Sequence, residues 1–281
     1  MQIFEQLVDL QSFLNSYHKN AQDISLVPTM GGLHDGHLSL IERAQELADI
    51  TIVSIFVNPT QFLSSEDFDT YPKVFLQDKS FLEAKNVDVL FIPSNNEIYP
   101  NGLLSDYDVG EIGKILCGIS RPSHFNGVAQ VVKRLFEIIK PNYAVFGEKD
   151  YQQLLVIKSL VNQLDLSVVI DSVSTKRDED GLAKSTRNQY LSNDNRTIAP
   201  LFFKELNKLK KAINTIETIE LLRQQAFLEL NNSFEVEYLE VLDANNLKQI
   251  TTNTVKIIII SAIRLEDTRL IDNIVFRRPN V

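Results

Sequence analysis

The stretch Ile50-Thr51-Ile52-Val53-Ser54-Ile55-Phe56-Val57 constrains the fold of this chain more than any other. It is nearly continuous in apolar, mostly β-branched residues and lacks polar–apolar alternation. A strand of that pattern has both faces covered, as in a parallel sheet. Parallel neighbours need crossover connections, so helices should flank it. The sequence supplies them in alternation. Strands are expected at Ile24–Val27, Ile50–Val57, Val87–Ile92, Tyr143–Phe146 and Ser167–Asp171, and helices at about Gly36–Ala48, Val74–Lys85, Val128–Ile139 and Gln152–Leu164. Ahead of them, Met1–Asn20 reads as one amphipathic helix with Ile3, Phe4, Leu7, Leu10 and Leu14 inward. The expected fold class is α/β, a Rossmann-like doubly wound parallel sheet with right-handed crossovers. Ligands should sit beyond the carboxyl ends of its strands.

The pattern changes after Thr175. Lys176-Arg177-Asp178-Glu179-Asp180-Gly181 is charged and expected to be mobile. Helices at about Asn195–Asn214 and Glu217–Asn231 precede strands at Glu235–Leu242, Val255–Arg264 and Arg269–Val275. Helices followed by strands, without alternation, indicate a smaller α+β domain. The expected division is therefore residues 1–175 and 176–281. The 281 residues also suit two domains of about 150 residues each.

Other broad properties remove whole classes of function. No apolar stretch reaches the ~18 residues expected of a membrane span. The amino end has neither the basic start nor the apolar run of a signal peptide. A formal net charge of −9 disfavours broad nucleic-acid binding, which needs basic surface. The single cysteine, Cys117, excludes an intrachain disulfide and fits a reducing cytoplasm.

Three of the four histidines lie in short segments rich in Gly, Pro or polar residues: His34, His37 and His124. His34 and His37 are three apart at an expected helix start, so both can face one way. The segment Pro28-Thr29-Met30-Gly31-Gly32-Leu33-His34-Asp35-Gly36-His37 offers backbone to a ligand where its glycines remove side chains. A helix amino end favours phosphate. Zinc is set aside, because the spacing is not the i, i+4 pair and no cysteine cluster supports it.

Four more segments join this one. In Gly147-Glu148-Lys149-Asp150-Tyr151-Gln152-Gln153, Lys149 suits a phosphate, Asp150 suits a helix cap, and Gln153 can meet a polar substrate. Lys184-Ser185-Thr186-Arg187-Asn188 pairs two hydroxyls with two cations, a grip for a triphosphate. In Asn58-Pro59-Thr60-Gln61-Phe62, Gln61 suits a hydroxyl-bearing ligand. Arg121-Pro122-Ser123-His124-Phe125-Asn126-Gly127 is a non-helical lead into a helix and by itself is structural.

Taken together and in this order, these segments resemble the pantothenate synthetase (pantoate–β-alanine ligase) family across nearly the whole chain. Tyr71-Pro72, Asp180-Gly181-Leu182-Ala183 and Tyr190-Leu191 add to the likeness. The first block alone is common to a wide nucleotidyltransferase superfamily; the later blocks narrow it. The resemblance implies a two-step reaction. Pantoate's carboxylate attacks the α-phosphate of ATP, giving pantoyl adenylate and pyrophosphate. The amine of β-alanine then displaces AMP to give pantothenate.

The resemblance also implies roles for particular residues. His34 and His37 donate to phosphates, with His37 the proton donor. Met30 to His37 and Gly147 to Asp150 border ATP, and Lys149, Ser185 and Arg187 hold its phosphates. Gln61 and Gln153 hold pantoate, and Gln61 also borders β-alanine. Mg²⁺ rides mostly on ATP oxygens, with Asp78 a nearby carboxylate. A homodimer through the first domain is implied as well. Departures are few. Lys184 and Lys176 stand where apolar residues are usual, Lys73 where Arg is usual, and Cys117 where Glu is common. Lys176 keeps a backbone contact to the adenine, Thr186 keeps its hydroxyl, and Lys184 is expected to touch departing phosphate. Another superfamily adenylyl- or cytidylyltransferase would act on an anionic phosphate acceptor, which the neutral amides of Gln61 and Gln153 suit less well. A tRNA synthetase fits the acidic charge poorly. A non-catalytic nucleotide-binding module would have no need of His34, His37, Lys149 and Arg187 together.

Overall fold

A computed structural model describes residues 1–63, 66–102 and 108–278. The chain forms two compact units: Met1–Glu148 with Gln152–Ser174, and Lys149–Tyr151 with Thr175–Val281.

The first unit is built on six strands: β1 (Gln2–Phe4), β2 (Ile24–Thr29), β3 (Ile50–Ile55), β4 (Val89–Phe91), β5 (Tyr143–Gly147) and β6 (Val169–Val173). They lie in the order β1-β4-β3-β2-β5-β6, and every pair is parallel. From β2 the chain winds outward through β3 and β4, then returns to the other side of β2 for β5 and β6. The winding reverses between β2 and β5, the position where doubly wound sheets bind ligands. The doubly wound expectation therefore holds. The first five residues of β3 are buried. Of its two polar members, Thr51 shares a hydrogen bond of 3.1 Å with the Ser25 hydroxyl, whereas the buried Ser54 hydroxyl has no hydrogen-bond partner among the described residues; its carbonyl accepts from the Thr29 hydroxyl at 2.8 Å.

The connecting helices are α1 (Leu7–Lys19), α2 (Asp35–Leu47), α3 (Phe75–Ala84), α4 (Asn95–Ile98), α5 (Cys117–Ser120), α6 (His124–Ile139) and α7 (Tyr151–Gln163). A core of Val27, Ile41, Ala44, Val53, Leu82, Leu90 and Val145 joins α2 and α3 to the sheet.

Three boundaries differ from expectation, one of them in the second unit, where the single helix expected at about Asn195–Asn214 is divided into Asn193–Ile198 and Pro200–Ala212. The amino end is not one helix: Gln2–Phe4 forms the edge strand β1 beside β4, and the helix begins at Leu7. Three residues carry too little periodicity to separate the two, and the available strand edge decides. Helix α6 begins at His124, so His124–Gly127 is already helical. Gly127 permits this first turn to lie against the chain at Thr60, since a Cβ there would stand 2.4 Å from the Thr60 carbonyl oxygen.

The second unit holds α8 (Asn193–Ile198), α9 (Pro200–Ala212), α10 (Ile219–Asn231) and an antiparallel sheet of β7 (Glu235–Asp243), β8 (Lys256–Leu265) and β9 (Thr268–Arg277). Phe202, Leu206 and Leu209 of α9 and Leu230 of α10 pack with Ile257, Ile259 and Ile263 of the central strand β8. Helices precede strands, as an α+β unit requires. The stretch Lys176–Gly181, expected to be mobile, is one arm of a hydrogen-bonded turn. Asp178 N–H donates to the Leu182 carbonyl at 2.9 Å, and Lys184 N–H to the Lys176 carbonyl at 2.9 Å. Three of its charges, Arg177, Asp178 and Asp180, have ion-pair partners, which a count of charges along the chain does not reveal.

Candidate functional site

The loop after β2 occupies the switch point of the sheet. Gly31 and Gly32 take positive φ, 84° and 63°, a conformation that side chains disfavour. A Cβ on Gly31 would also stand 3.0 Å from Asp78 Oδ2. Asp78, on α3, is only 2% exposed. Its Oδ2 accepts from Gly32 N–H at 2.9 Å and its Oδ1 from Leu33 N–H at 2.7 Å. Burial raises its pKa above the usual aspartate value, opposed by those two hydrogen bonds. Asp78, expected as a carboxylate near Mg²⁺, thus uses both its oxygens to hold the loop. The same bonds commit the Gly32 and Leu33 amides to the buried carboxylate. Leu33 itself is buried in the core.

The loop ends in two histidines that cap α2. His34 Nδ1 accepts from Gly36 N–H at 3.1 Å, and His37 Nδ1 accepts from His34 N–H at 3.3 Å. Their rings lie 4.2 Å apart. An imidazole nitrogen that accepts a hydrogen bond carries no proton, so both rings are assigned as neutral with the proton on Nε2. The loop's backbone thus selects two Nε2–H donors side by side at a helix amino end. Asp35, the first residue of α2, is exposed, and Met30 and Gly36 are half-buried beside it.

The loop after β3 meets this one, since Gln61 Nε2 lies 3.1 Å from Met30 Sδ. Gln61 sits in a short 3-10 turn, Pro59–Gln61. Its carbonyl accepts from Arg121 at 3.2 Å and from His124 Nδ1 at 2.8 Å. Arg121 is itself fixed to Glu66 at 2.5 Å. The segment Arg121–Gly127 therefore anchors Gln61, which accounts for its structural appearance. Asn58, 1% exposed, links the Gln61 side chain to the Gly127 carbonyl and to the Tyr99 hydroxyl. Burial raises the Tyr99 pKa, and its bonds to Thr60 and Asn58 oppose that.

The adjacent glutamines of α7 separate cleanly. Gln152 is buried and spent: its amide donates to the Ile112 and Ile115 carbonyls at 2.7 and 2.8 Å and accepts from Cys117 N–H at 3.2 Å. Gln153 is half-buried, and its side chain makes no hydrogen bond among the described residues. At the end of β5, a Cβ on Gly147 would meet nothing within 4 Å. Glu148 accepts from the Ser172 hydroxyl at 3.1 Å.

Within the second unit lie the remaining candidates, and β9 braces the chain at Lys149 and Arg177. Asn273 Nδ2 donates to the Lys149 carbonyl at 3.0 Å, and the Tyr151 hydroxyl donates to the Ala244 carbonyl at 3.1 Å. Asp150 between them is exposed. Arg177 grips the buried Asp272 with two bonds of 2.6 and 2.8 Å, donates to the Gly181 carbonyl at 3.1 Å and lies 3.7 Å over the Phe203 ring. Burial raises the Asp272 pKa, with Arg177 opposing. Lys184 pairs with Asp178 at 2.7 Å, and Asp178 and Asp180 both pair with Arg196. The Ser185 hydroxyl accepts from Arg187 N–H at 3.3 Å and caps the turn Thr186–Tyr190. Lys176 is exposed, while Thr186 and Arg187 are half-buried.

Sequence reasoning missed Arg177, Asp272 and Asn273 as braces, and Tyr99 as a partner of Asn58. The Tyr99-Pro100 pair gave no signal of that contact, and Arg177 was hidden among neighbouring charges.

A parallel sheet wound both ways from β2, with a glycine–histidine loop at its switch point, defines an α/β protein of the nucleotide-binding type. The chain belongs to the pantoate-beta-alanine ligase family, whose model matches residues 2–275. It is 51% identical over 278 residues to pantothenate synthetase of Ruthia magnifica subsp. Calyptogena magnifica, covering 99% of this chain and 100% of that relative. The crystal structure of pantothenate synthetase from Thermus thermophilus aligns with a TM-score of 0.89 at 36% identity, over 98% of this chain and 99% of that one. Pantoate-beta-alanine ligase from Francisella tularensis, complexed with "Beta-gamma ATP and Beta-alanine", aligns at 0.80 and 38% identity, over 98% and 97%. The likeness drawn from the motifs is borne out over essentially the whole chain.

Proposed function

We propose that this chain is an ATP-dependent acid–amine ligase that condenses (R)-pantoate with β-alanine to pantothenate, releasing AMP and pyrophosphate. The observation that carries the reading is the histidine pair, held as two neutral Nε2–H donors at the switch point of a ligase-family fold. In the first step a pantoate carboxylate oxygen bonds to the α-phosphorus of ATP, and the bond to the β-phosphate bridging oxygen breaks. In the second, the β-alanine nitrogen bonds to the acyl carbon. The C–O bond to AMP breaks, and the nitrogen loses a proton.

His34 and His37 stabilise the phosphate charge that grows in the first step by hydrogen bonds from Nε2–H, and His37 takes the proton-donor role only in its doubly protonated form, passing one proton to the leaving pyrophosphate and returning to the neutral ring. The backbone from Met30 to His37, with Gly31, Gly32, Leu33 and Asp35, lines the ATP site. Gln61 and Gln153 hold pantoate in line, and Gln61 also borders β-alanine. Lys149, Lys176, Lys184, Ser185, Thr186 and Arg187 are the residues assigned to the nucleotide's phosphates and base. Among the described residues no group of three His, Cys, Asp or Glu side chains could hold a metal. Mg²⁺ would therefore enter with ATP, on phosphate oxygens and water, without an assigned protein ligand.

We further propose a cytoplasmic homodimer. Family membership supports the dimer, and the lone Cys117 supports a reducing compartment. No helix among the described residues is long and apolar enough to cross a membrane. Incubation of the pure protein with Mg-ATP, pantoate and β-alanine should yield pantothenate and AMP by mass spectrometry, and neither when pantoate is omitted. Absence of pantothenate from the complete mixture overturns the reading. Light scattering on the purified protein tests the dimer.

A further inference from the structure

We propose that Tyr99 is a positioning residue for this reaction: through Asn58 it holds the Gln61 amide with its N–H face toward the substrate. The proposal rests on the reading of Gln61 as a pantoate-binding residue.

The argument begins with two backbone groups whose character cannot change. Thr60 N–H can only donate, and it points to Asn58 Oδ1 at 3.3 Å. The Gly127 carbonyl can only accept, and it faces Asn58 Nδ2 at 3.1 Å. Together they fix which way the Asn58 amide lies. The remaining hydrogen on Nδ2 then faces the Gln61 side chain, which answers with Oε1 at 3.2 Å. Gln61 Nε2 is left on the other side, 3.1 Å from Met30 Sδ, a weak acceptor. The stronger acceptor that suits this amide is an oxygen of a hydroxy acid.

Orientation of Asn58 is thus set by backbone, and its position is set by Tyr99. The Tyr99 hydroxyl donates to Asn58 Oδ1 at 2.6 Å, the shortest contact of the network. The Thr60 hydroxyl donates to the same oxygen at 2.9 Å. The Tyr99 ring is buried and lies beside Phe56, with centroids 6.2 Å apart. Three donors therefore converge on one buried oxygen. Loss of the Tyr99 hydroxyl leaves the amide facing the same way but less firmly seated, and Gln61 follows it.

The test compares Tyr99→Phe, Gln61→Leu and the double variant by steady-state kinetics, with thermal midpoints measured alongside. Tyr99→Phe should raise the pantoate KM about fivefold, the scale of one hydrogen bond, with the ATP KM unchanged. Gln61→Leu should raise the pantoate KM further, and adding Tyr99→Phe to it should change nothing more. If Gln61→Leu leaves the pantoate KM unaltered, the assignment of Gln61 falls and the relay with it. If Gln61→Leu raises it but Tyr99→Phe does not, or if the two effects add fully, the relay alone is overturned. Should Tyr99→Phe fold poorly, Thr60→Val removes the other hydroxyl donor to the same oxygen. It should raise the pantoate KM in the same selective way, and a selective effect absent there overturns the relay.

Discussion

The loop Met30–His37 and the turn Lys176–Arg187 are both proposed to meet ATP, yet they are built on opposite principles. The first is held by uncharged donors. Two backbone amides rest on the buried carboxylate of Asp78, and two histidines are held as neutral rings by further amides. The second is held by ion pairs. Arg177 rests on buried Asp272, while Lys184 and Arg196 share Asp178. The difference matters for a polyanionic substrate. The neutral donors of the first loop are held in place by backbone hydrogen bonds. Lys184 must exchange a carboxylate for a phosphate, so its net contribution is smaller.

The sharpest way to break this comparison is Asp272→Ala. Removing one member of a buried pair strands the Arg177 charge, so unfolding in urea should show a loss of roughly 3–5 kcal/mol in the second unit. A loss no larger than a surface ion pair would mean that the second unit does not depend on this brace. Next comes His37→Ala. Adenylate formation in a single turnover should fall by about 10²–10³, the scale of one lost transition-state donor. Stability should fall by only ~1 kcal/mol, from the missing cap. An unchanged turnover rate would remove His37 from the chemistry.

Asp78→Asn probes the first loop's foundation. The amide can accept only one of the two loop N–H groups securely, so a loss of roughly 1–3 kcal/mol and a raised ATP KM are expected. Its pH dependence has a definite sign. The folded pKa of Asp78 is raised, so the folded state holds the proton more tightly than the unfolded one. That contribution is fully present below the ordinary aspartate value of 3.8 and is lost as pH rises through the raised folded value. The stability deficit of the variant relative to the parent should therefore shrink over that window, and a deficit that grows with pH would reverse the assignment. The smallest effect belongs to Lys184→Met. The ATP KM should rise about threefold or less, because the lysine already has Asp178 as partner. No change in either ATP KM or kcat would end its proposed contact with departing phosphate.

Much of this could be seen from residue order. The apolar run of β3 announced a buried parallel strand, and Gly31, Gly32, His34 and His37 marked the loop over the switch point. The misplacements have local causes. A three-residue strand at Gln2–Phe4 has no period of its own, so only the edge of β4 shows it. The charges of Lys176–Gly181 look solvated until Asp272, 95 residues away from Arg177, is brought beneath them.

Composition, period and motif order determined that this chain would form a doubly wound sheet followed by an α+β unit, in a family of pantoate-activating ligases. Those properties are set by short-range pattern and by the burial of apolar faces. Tertiary structure alone decided which of two neighbouring glutamines was spent in the framework, and that Asp78 holds a loop 45 residues away. It also decided that Asn58 and Tyr99 turn the Gln61 amide in one direction. A polar side chain has the same donors and acceptors wherever it stands. Its role is fixed by the partners that folding brings within about 3 Å, and the order of residues does not list them.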